Sequence, residues 1–343
     1  MARTAFSLSM PCFHAELTSL GHFSAMVFLP AERTILTVAL ALTGVCLFLV
    51  WEKGVVVALG GYSFSVGFAV VMIAIGQFYR HVRKAERIAI TTHILALFVA
   101  YSIPASLLNL LLLPRPSAPI DATLVWMDSW LGYSWPSACA WIAQYPHLSD
   151  ILRQIYTLTL AQILFAFFFL GIANDRRRLH AAALGTVFAS LATIFCWALF
   201  PSSGASAYWT LAPEVDRVVR PIVNSAYGAE LNRLLVEGVK DISGLKTAGL
   251  VGFPSFHTAM ALISLIAVWP YWPMRLALVL INVALLPAIL IHGGHNLMDV
   301  LGGILITIAS WRLGVLVFEA QERVTLKLAS GKAVNACPEA TVA

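Results

Sequence analysis

Charged side chains are what this sequence has least of. They make up 11% of the 343 residues, against 59% hydrophobic, and the mean hydropathy is +0.83. A soluble domain carries about 25% charged residues, so a water-solvated globule is excluded and lipid must cover much of the surface. Cysteine is sparse as well: Cys12, Cys46, Cys139, Cys196 and Cys337 form no C-x-x-C pair. That pattern excludes a legible disulfide framework or thiolate metal site. The first thirty residues lack the basic start, long apolar core and small-residue cleavage site of a cleaved signal. Internal repeats and low-complexity runs are missing too. The net charge of +5 comes without a basic face or motif of the nucleic-acid-binding kind, so no nucleic-acid partner is expected.

What the chain has instead is a succession of apolar runs. A membrane-spanning helix needs about 20 mostly apolar residues. Eight stretches approach that length: 34–51, 55–79, 88–113, 151–173, 180–200, 254–272, 274–291 and 297–318. The expected fold is therefore all-α, a polytopic integral membrane bundle of about eight transmembrane helices. Four segments are anticipated: a tail at 1–33, two additional N-terminal helices at 34–87, a six-helix domain at 88–318, and a tail at 319–343. Bases cluster in "RHVRKAER" (80–87), "NDRRRLH" (174–180), Arg275 and the C-terminal tail. The positive-inside rule makes that side cytoplasmic, with both termini, in a cell (inner or plasma) membrane.

Two longer segments fall on the opposite side. Segment 114–150 holds Trp126, Trp130, Tyr133, Trp135, Trp141 and Tyr145, and aromatic rings favour the headgroup level, so it is expected to lie along the interface. In "AYGAELNRLLVEGVK" (226–240), Leu231, Leu234 and Leu235 share one helical face and predict a second surface-lying helix.

Ionisable groups within such runs are costly, and here they gather in one place. Between Asp241 and Glu319 the sole acidic residue is Asp299, in "HGGHNLMDVLGG" (292–303). His295 precedes it by four positions, neighbours on one helical face. Asp299 can accept a hydrogen bond from one ring nitrogen of His295 and leave the other lone pair free to attack. The stretch "GFPSFHTA" (252–259) brings His257 to the same outer depth, suited to protonate a departing oxygen in an in-line phosphoryl transfer. Pro254 and Ser255 stand just before a helix start, where free N–H groups cradle phosphate oxygens.

"PSFH", followed some forty residues later by "HNLMD", resembles the P-S-x-H and H-x-x-x-D motifs of the phosphatidic acid phosphatase type 2 superfamily. The contexts "GLVGFPSFHTA" and "IHGGHNLMDVLGG" look most like its inositolphosphotransferase (inositol phosphorylceramide synthase-like) branch. "WMDSWLGYSW" and "YTLTLAQ" (156–162) are softer matches, and the resemblance extends over residues 88–318. It implies a phosphohistidine on His295, with Asp299 orienting it and His257 as the acid. Ser255 would contact the phosphate, with Pro254, Phe256, Gly294 and His292 around it. It implies a lipid phosphate substrate among membrane lipids, a site on the extracytoplasmic side, and no cofactor or metal. Phe256 replaces the glycine common in P-S-G-H, Asn296 replaces the branch's usual tyrosine, Ala288-Ile289 stand where the superfamily has Ser-Arg, and a K-x6-R-P motif is missing. Phosphate-binding cations are then sought among Arg217, Arg220, Arg233, Lys240 and Lys246, with Arg220 and Lys246 preferred.

Three other readings compete. Transfer of a phospho-headgroup to a lipid hydroxyl is the transferase version of the same chemistry. His257, His292, His295 and Asp299 could instead ligate zinc in an intramembrane hydrolase. A lipid transporter would carry broken helices and polar groups at the midplane, whereas these gather at one rim. His93 and Gln162 read as interhelical hydrogen-bond partners, and Gly302 and Gly303 as close-packing positions.

Overall fold

A computed structural model describes residues 27–58, 60–115, 117–242 and 250–335. Lys246 and the tail cysteines Cys12 and Cys337 lie outside the described residues. Fourteen helices are present among these residues, with a single isolated bridge between Val56 and Asp241 in place of any sheet. The protein is a polytopic helical membrane protein. Six helices are long and apolar enough to cross a bilayer. They are α1 (Pro30–Lys53), α2 (Gly60–His81), α3 (Glu86–Leu111), α8 (Arg176–Leu199), α13 (Trp272–His292) and α14 (Leu297–Asn335).

The remaining two of the eight expected spans take different forms. The stretch at 151–173 becomes α6 (Pro146–Thr157) and α7 (Thr159–Ile172), bent by 49° at Leu158. Asp150 and Arg153 charge the first helix, while α7 is wholly apolar apart from Thr159 and Gln162. The break falls where the chain passes from an interface-compatible to a lipid-compatible composition. The stretch at 254–272 yields only α12 (Phe256–Ala267), 12 residues. At 1.5 Å per residue that is roughly 18 Å, short of a hydrocarbon core of about 30 Å. α12 is enclosed by α7, α8, α13 and α14, so it is a buried post rather than a lipid-facing span.

The aromatic segment folds into α4 (Asp121–Trp130) and α5 (Trp135–Ile142), running on into α6. Trp126 and Trp130 stay exposed, and Trp135 is buried. Two short helices, α9 (Ala205–Tyr208) and α10 (Pro213–Val219), lead to α11 (Ser225–Glu237). Leu231, Leu234 and Leu235 are all buried there, as the spacing predicts.

Polar groups fasten the N-terminal helices to the rest. Lys53 donates to the carbonyls of Leu111 (2.7 Å) and Leu113 (2.8 Å), satisfying acceptors at the end of α3. At the other end of α1, the fully buried Glu32 binds Arg80 of α2 through both oxygens, at 2.9 and 3.0 Å. His93 of α3 and His180 of α8 lie 3.5 and 3.7 Å from the same carboxylate. Four helices therefore converge on one side chain. The long crossing of α8 with α14 depends on Gly314, where a Cβ would sit 2.6 Å from the Ala181 carbonyl.

Candidate active site

The turn between α13 and α14 carries the histidine pair. Gly294 has φ +62°, and its carbonyl accepts the Ser206 N–H at 3.2 Å, anchoring the turn to α9. His295 then lies at the mouth of α14, 4% exposed, with Asp299 one turn further on and fully buried. His295 Nδ1 donates to Asp299 Oδ2 at 3.0 Å. The same oxygen accepts the Asn296 N–H at 2.8 Å, which fixes the carboxylate before it meets the ring. With Nδ1 carrying the proton, the lone pair is on Nε2.

The segment "FPSFH" approaches that nitrogen from the side. Ser255 N donates to the Asp299 carbonyl at 2.9 Å. Ser255 caps α12, its hydroxyl oxygen 3.4 Å from Thr258 N and 3.5 Å from His295 Nε2. Gly303 makes this approach possible: a Cβ there would lie 2.5 Å from the Ser255 carbonyl and 2.8 Å from Thr258 Cβ. His257 sits in the first turn of α12, its ring centroid 6.0 Å from that of His295 and 4.7 Å from that of Tyr156. Both imidazoles line one cleft with Tyr156, Ser203, Gly204 and Gly252. An attack distance of about 3 Å and a hydrogen bond of about 3 Å bracket a reacting phosphorus–oxygen unit on roughly this scale.

The other sequence-derived positions divide. Pro254 is buried beneath α14, where a Cβ on Gly302 would meet its Cβ at 2.9 Å. The Phe256 side chain faces a neighbouring apolar cavity and does not line the cleft. His292 is fully buried, its carbonyl accepting the Val223 N–H at 3.0 Å, and it too is outside the cleft lining. Arg220 is at the surface, its guanidinium 2.6 Å from Asp150. Arg233 is held by Glu230 and Glu237 on the exposed face of α11. Arg217 and Lys240 are exposed and line no part of the cleft. Among the described residues no group of three His, Cys, Asp or Glu side chains is arranged to hold a metal ion. The four-ligand zinc arrangement is therefore not assembled. Gln162 bonds Asn282 at 2.9 Å, and His93 lies 2.9 Å from Gln77, both interhelical as expected.

Two carboxylates that the sequence reading passed over do much of the positioning. Asp121, at the start of α4, accepts from the Ser202 hydroxyl (2.8 Å) and from the N–H groups of Ser203 (3.0 Å) and Gly204 (2.9 Å). It thereby holds one wall of the cleft. Asp128 accepts the N–H groups of Leu297 (2.9 Å) and Met298 (3.0 Å), the free donors at the start of α14. Burial raises the pKa of both above the usual aspartate range, and the nearby Asp299 charge adds to the rise, while the donated hydrogen bonds oppose it. "WMDSWLGYSW" contains Asp128, but the partner lies far along the chain and leaves no local trace.

Residues 122–313, more than half of the chain, match the family model described as the PAP2 superfamily. No match is found among curated proteins or among solved structures. The matched span takes in the cleft's histidines, Asp299 and Asp128, and the chain belongs to the PAP2 superfamily.

Proposed function

We propose that the protein cleaves a phosphate ester or anhydride on a lipid through a covalent phosphohistidine. The observation that carries this is the pairing of His295 Nδ1 with Asp299 at 3.0 Å in a cleft shared with His257. His295 Nε2 attacks phosphorus, and the bond to the departing alcohol oxygen breaks on the opposite side. His257, protonated, gives its proton to that oxygen. Asp299 remains ionised and stabilises the imidazolium formed at His295. In the second half, neutral His257 takes a proton from water as the water oxygen attacks phosphorus. The P–N bond breaks, inorganic phosphate leaves, and both imidazoles return to their starting forms. The N–H groups of Phe256 and His257, in the first turn of α12, are free of the helical ladder and supply donors for the phosphate oxygens.

Water is the preferred acceptor, which makes the enzyme a phosphohydrolase. A lipid hydroxyl in its place gives the inositolphosphotransferase-like reaction that the motif contexts resemble. The proposed topology has both termini in the cytoplasm and the cleft on the extracytoplasmic side of the cell membrane, with 88–318 as the catalytic unit. The loop bases support that orientation. The test is incubation of purified protein and a His295→Ala variant with labelled lipid phosphates, following free phosphate and new phospholipid together. Wild-type turnover that survives chelator, is inhibited by vanadate and disappears in the variant supports the reading. Unchanged turnover in the variant ends it, and the product pattern separates water from alcohol.

A further inference from the structure

His257 has to carry a proton into the first half of the reaction and hand it to the departing oxygen. A carboxylate is the usual stabiliser of such an imidazolium, and His295 has one, Asp299 at 3.0 Å. His257 does not. Among the described residues none hydrogen-bonds or ion-pairs with its ring. The titratable groups that share its cleft and the adjoining cavity are His295, Tyr156 and Tyr101, with no carboxylate among the described lining residues. What the imidazole does meet is the ring of Tyr156, at 4.7 Å between centroids and 30° between planes, nearer to face-on than to edge-on. His295 is farther off, at 6.0 Å and 65°.

The surroundings fix Tyr156 in that place. It is the penultimate residue of α6, directly before the 49° break at Leu158. Thr159, the first residue of α7, donates its hydroxyl to the Tyr156 carbonyl at 2.9 Å, satisfying an acceptor at the helix end. The side chain is buried in one apolar cluster with Leu285, Ala288 and Ile289 of α13. Gly293 completes the seat: a Cβ there would lie 2.8 Å from Tyr156 Cε2 and 3.0 Å from His295 Cδ2. One bare Cα therefore admits both the nucleophile's ring and the ring that covers the acid.

We propose that Tyr156 is a positioning residue for the general acid: its ring face orients His257 and stabilises the imidazolium. This role rests on the phosphohistidine reading. The face of a tyrosine ring carries negative charge and attracts a cation within about 6 Å of its centre, more strongly where water is excluded. Neutral His257 gains nothing comparable, so the contact favours the protonated form before the phosphorus–oxygen bond breaks. In the second half the same face stabilises the imidazolium formed again as water gives up its proton. The contribution to the first half is confined to leaving groups that need a proton. An alkyl alcohol does, whereas nitrophenol departs as its stable anion.

The test uses the full chain in lipid nanodiscs, in excess over substrate, and follows alcohol release in a single turnover so that hydrolysis of the phosphoenzyme does not enter. Dodecyl phosphate is compared with 4-nitrophenyl phosphate. Tyr156→Leu, and replacement of Tyr156 by pentafluorophenylalanine, are expected to slow dodecanol release about tenfold and nitrophenol release by less than about twofold. The alkaline limb of kcat/KM for dodecyl phosphate should move down by about one pH unit. Tyr156→Phe, which restores a ring face of similar charge, should recover most of the rate. The fluorinated ring keeps the shape and loses the negative face, so it decides the matter even where Tyr156→Leu does not fold. Equal slowing of both substrates by that ring, or none of either, overturns the proposal. His257→Ala should slow dodecanol release alone. If it slows both releases alike, or if His295→Ala leaves both unchanged, the acid assignment fails and the role of Tyr156 with it. Expected behaviour of those two variants beside an indifferent fluorinated ring removes the role of Tyr156 alone.

Discussion

Asp128 and Leu297 are separated by 169 positions, yet the carboxylate of the first accepts the backbone N–H of the second at 2.9 Å. The bond joins α4 to the first turn of α14, two residues beyond His295. An anionic acceptor at a helix N-terminus satisfies free donors and favours the dipole together. Asp128→Ala is expected to lower stability by about 1–2 kcal/mol. Turnover of a small soluble phosphate ester should fall more steeply, about 10²-fold, because the nucleophile shifts with the helix end. Thermal unfolding and kcat measured on one preparation separate the two effects. A stability loss with kcat intact would make Asp128 a cap and nothing more.

The raised pKa of Asp128 gives this arrangement a pH signature with two opposite signs. As pH falls, the carboxyl takes up its proton above the ordinary aspartate value of about 3.9, and one acceptor for the α14 N–H groups is weakened. Activity is expected to fall on that acid limb. Stability responds differently. Because the folded pKa exceeds the unfolded one, this group's stabilising contribution is fully present below the unfolded pKa and is lost as pH rises through the folded pKa. Profiles of kcat and melting temperature against pH should therefore diverge in the wild type, and both should flatten in Asp128→Ala. Parallel profiles would refute the assignment.

Asp299→Asn tests the orientation of the nucleophile with little change in volume. A neutral amide can no longer hold the His295 tautomer and stabilise the imidazolium, and turnover should drop by about 10³–10⁴-fold, the order known for neutralised triad carboxylates. Acid-labile labelling of the protein by a radiolabelled phosphate ester should disappear with it. Retained labelling at wild-type rate would mean that Asp299 serves the fold alone.

Gly303→Ala addresses the approach of α14 to the Ser255 segment. The added Cβ meets the Ser255 carbonyl at 2.5 Å and Thr258 Cβ at 2.8 Å; the first is backbone, which cannot rotate away. Overpacking of this kind costs about 1–3 kcal/mol, and the shift separates Ser255 from His295. Gly44→Ala, which meets nothing within 4 Å on α1, is the matched control. Equal melting temperatures and activities for the two variants would contradict the close approach.

What could be read in advance followed the range of the interaction. α1, α2, α3, α8, α13 and α14 were legible because length and hydropathy report the same quantity, the thickness of the bilayer. The i, i+4 spacing of His295 and Asp299 was legible because one helical turn brings them together. The break at Leu158 and the brevity of α12 were not: the first falls at a shift of composition inside one continuous run, and the second follows from neighbours that the local pattern does not contain. Asp121 and Asp128 escaped for the same reason: a carboxylate that caps a distant segment leaves no motif around itself. Arg220 was favoured as a cation facing the outside, but Asp150, seventy positions away, engages it first. No pattern around Glu32 marks it as the junction of four helices.

That junction supports a prediction separable from catalysis. Glu32 is fully buried, and Arg80, 11% exposed, holds both of its oxygens. Removing one member of a buried ion pair leaves the other charge uncompensated, at a cost of about 3–5 kcal/mol. Glu32→Ala is therefore expected to lower the melting temperature sharply, because Arg80, His93 and His180 all lose their common acceptor. A Glu32→Ala, Arg80→Leu double variant should recover part of the loss, since no charge is then left buried alone. The cleft lies near the opposite ends of α3 and α8, so the folded fraction of either variant should keep wild-type kcat and KM. A Glu32→Ala protein with unaltered stability, or with altered KM at full stability, would show that the cluster does something other than clasp the N-terminal helices to the bundle.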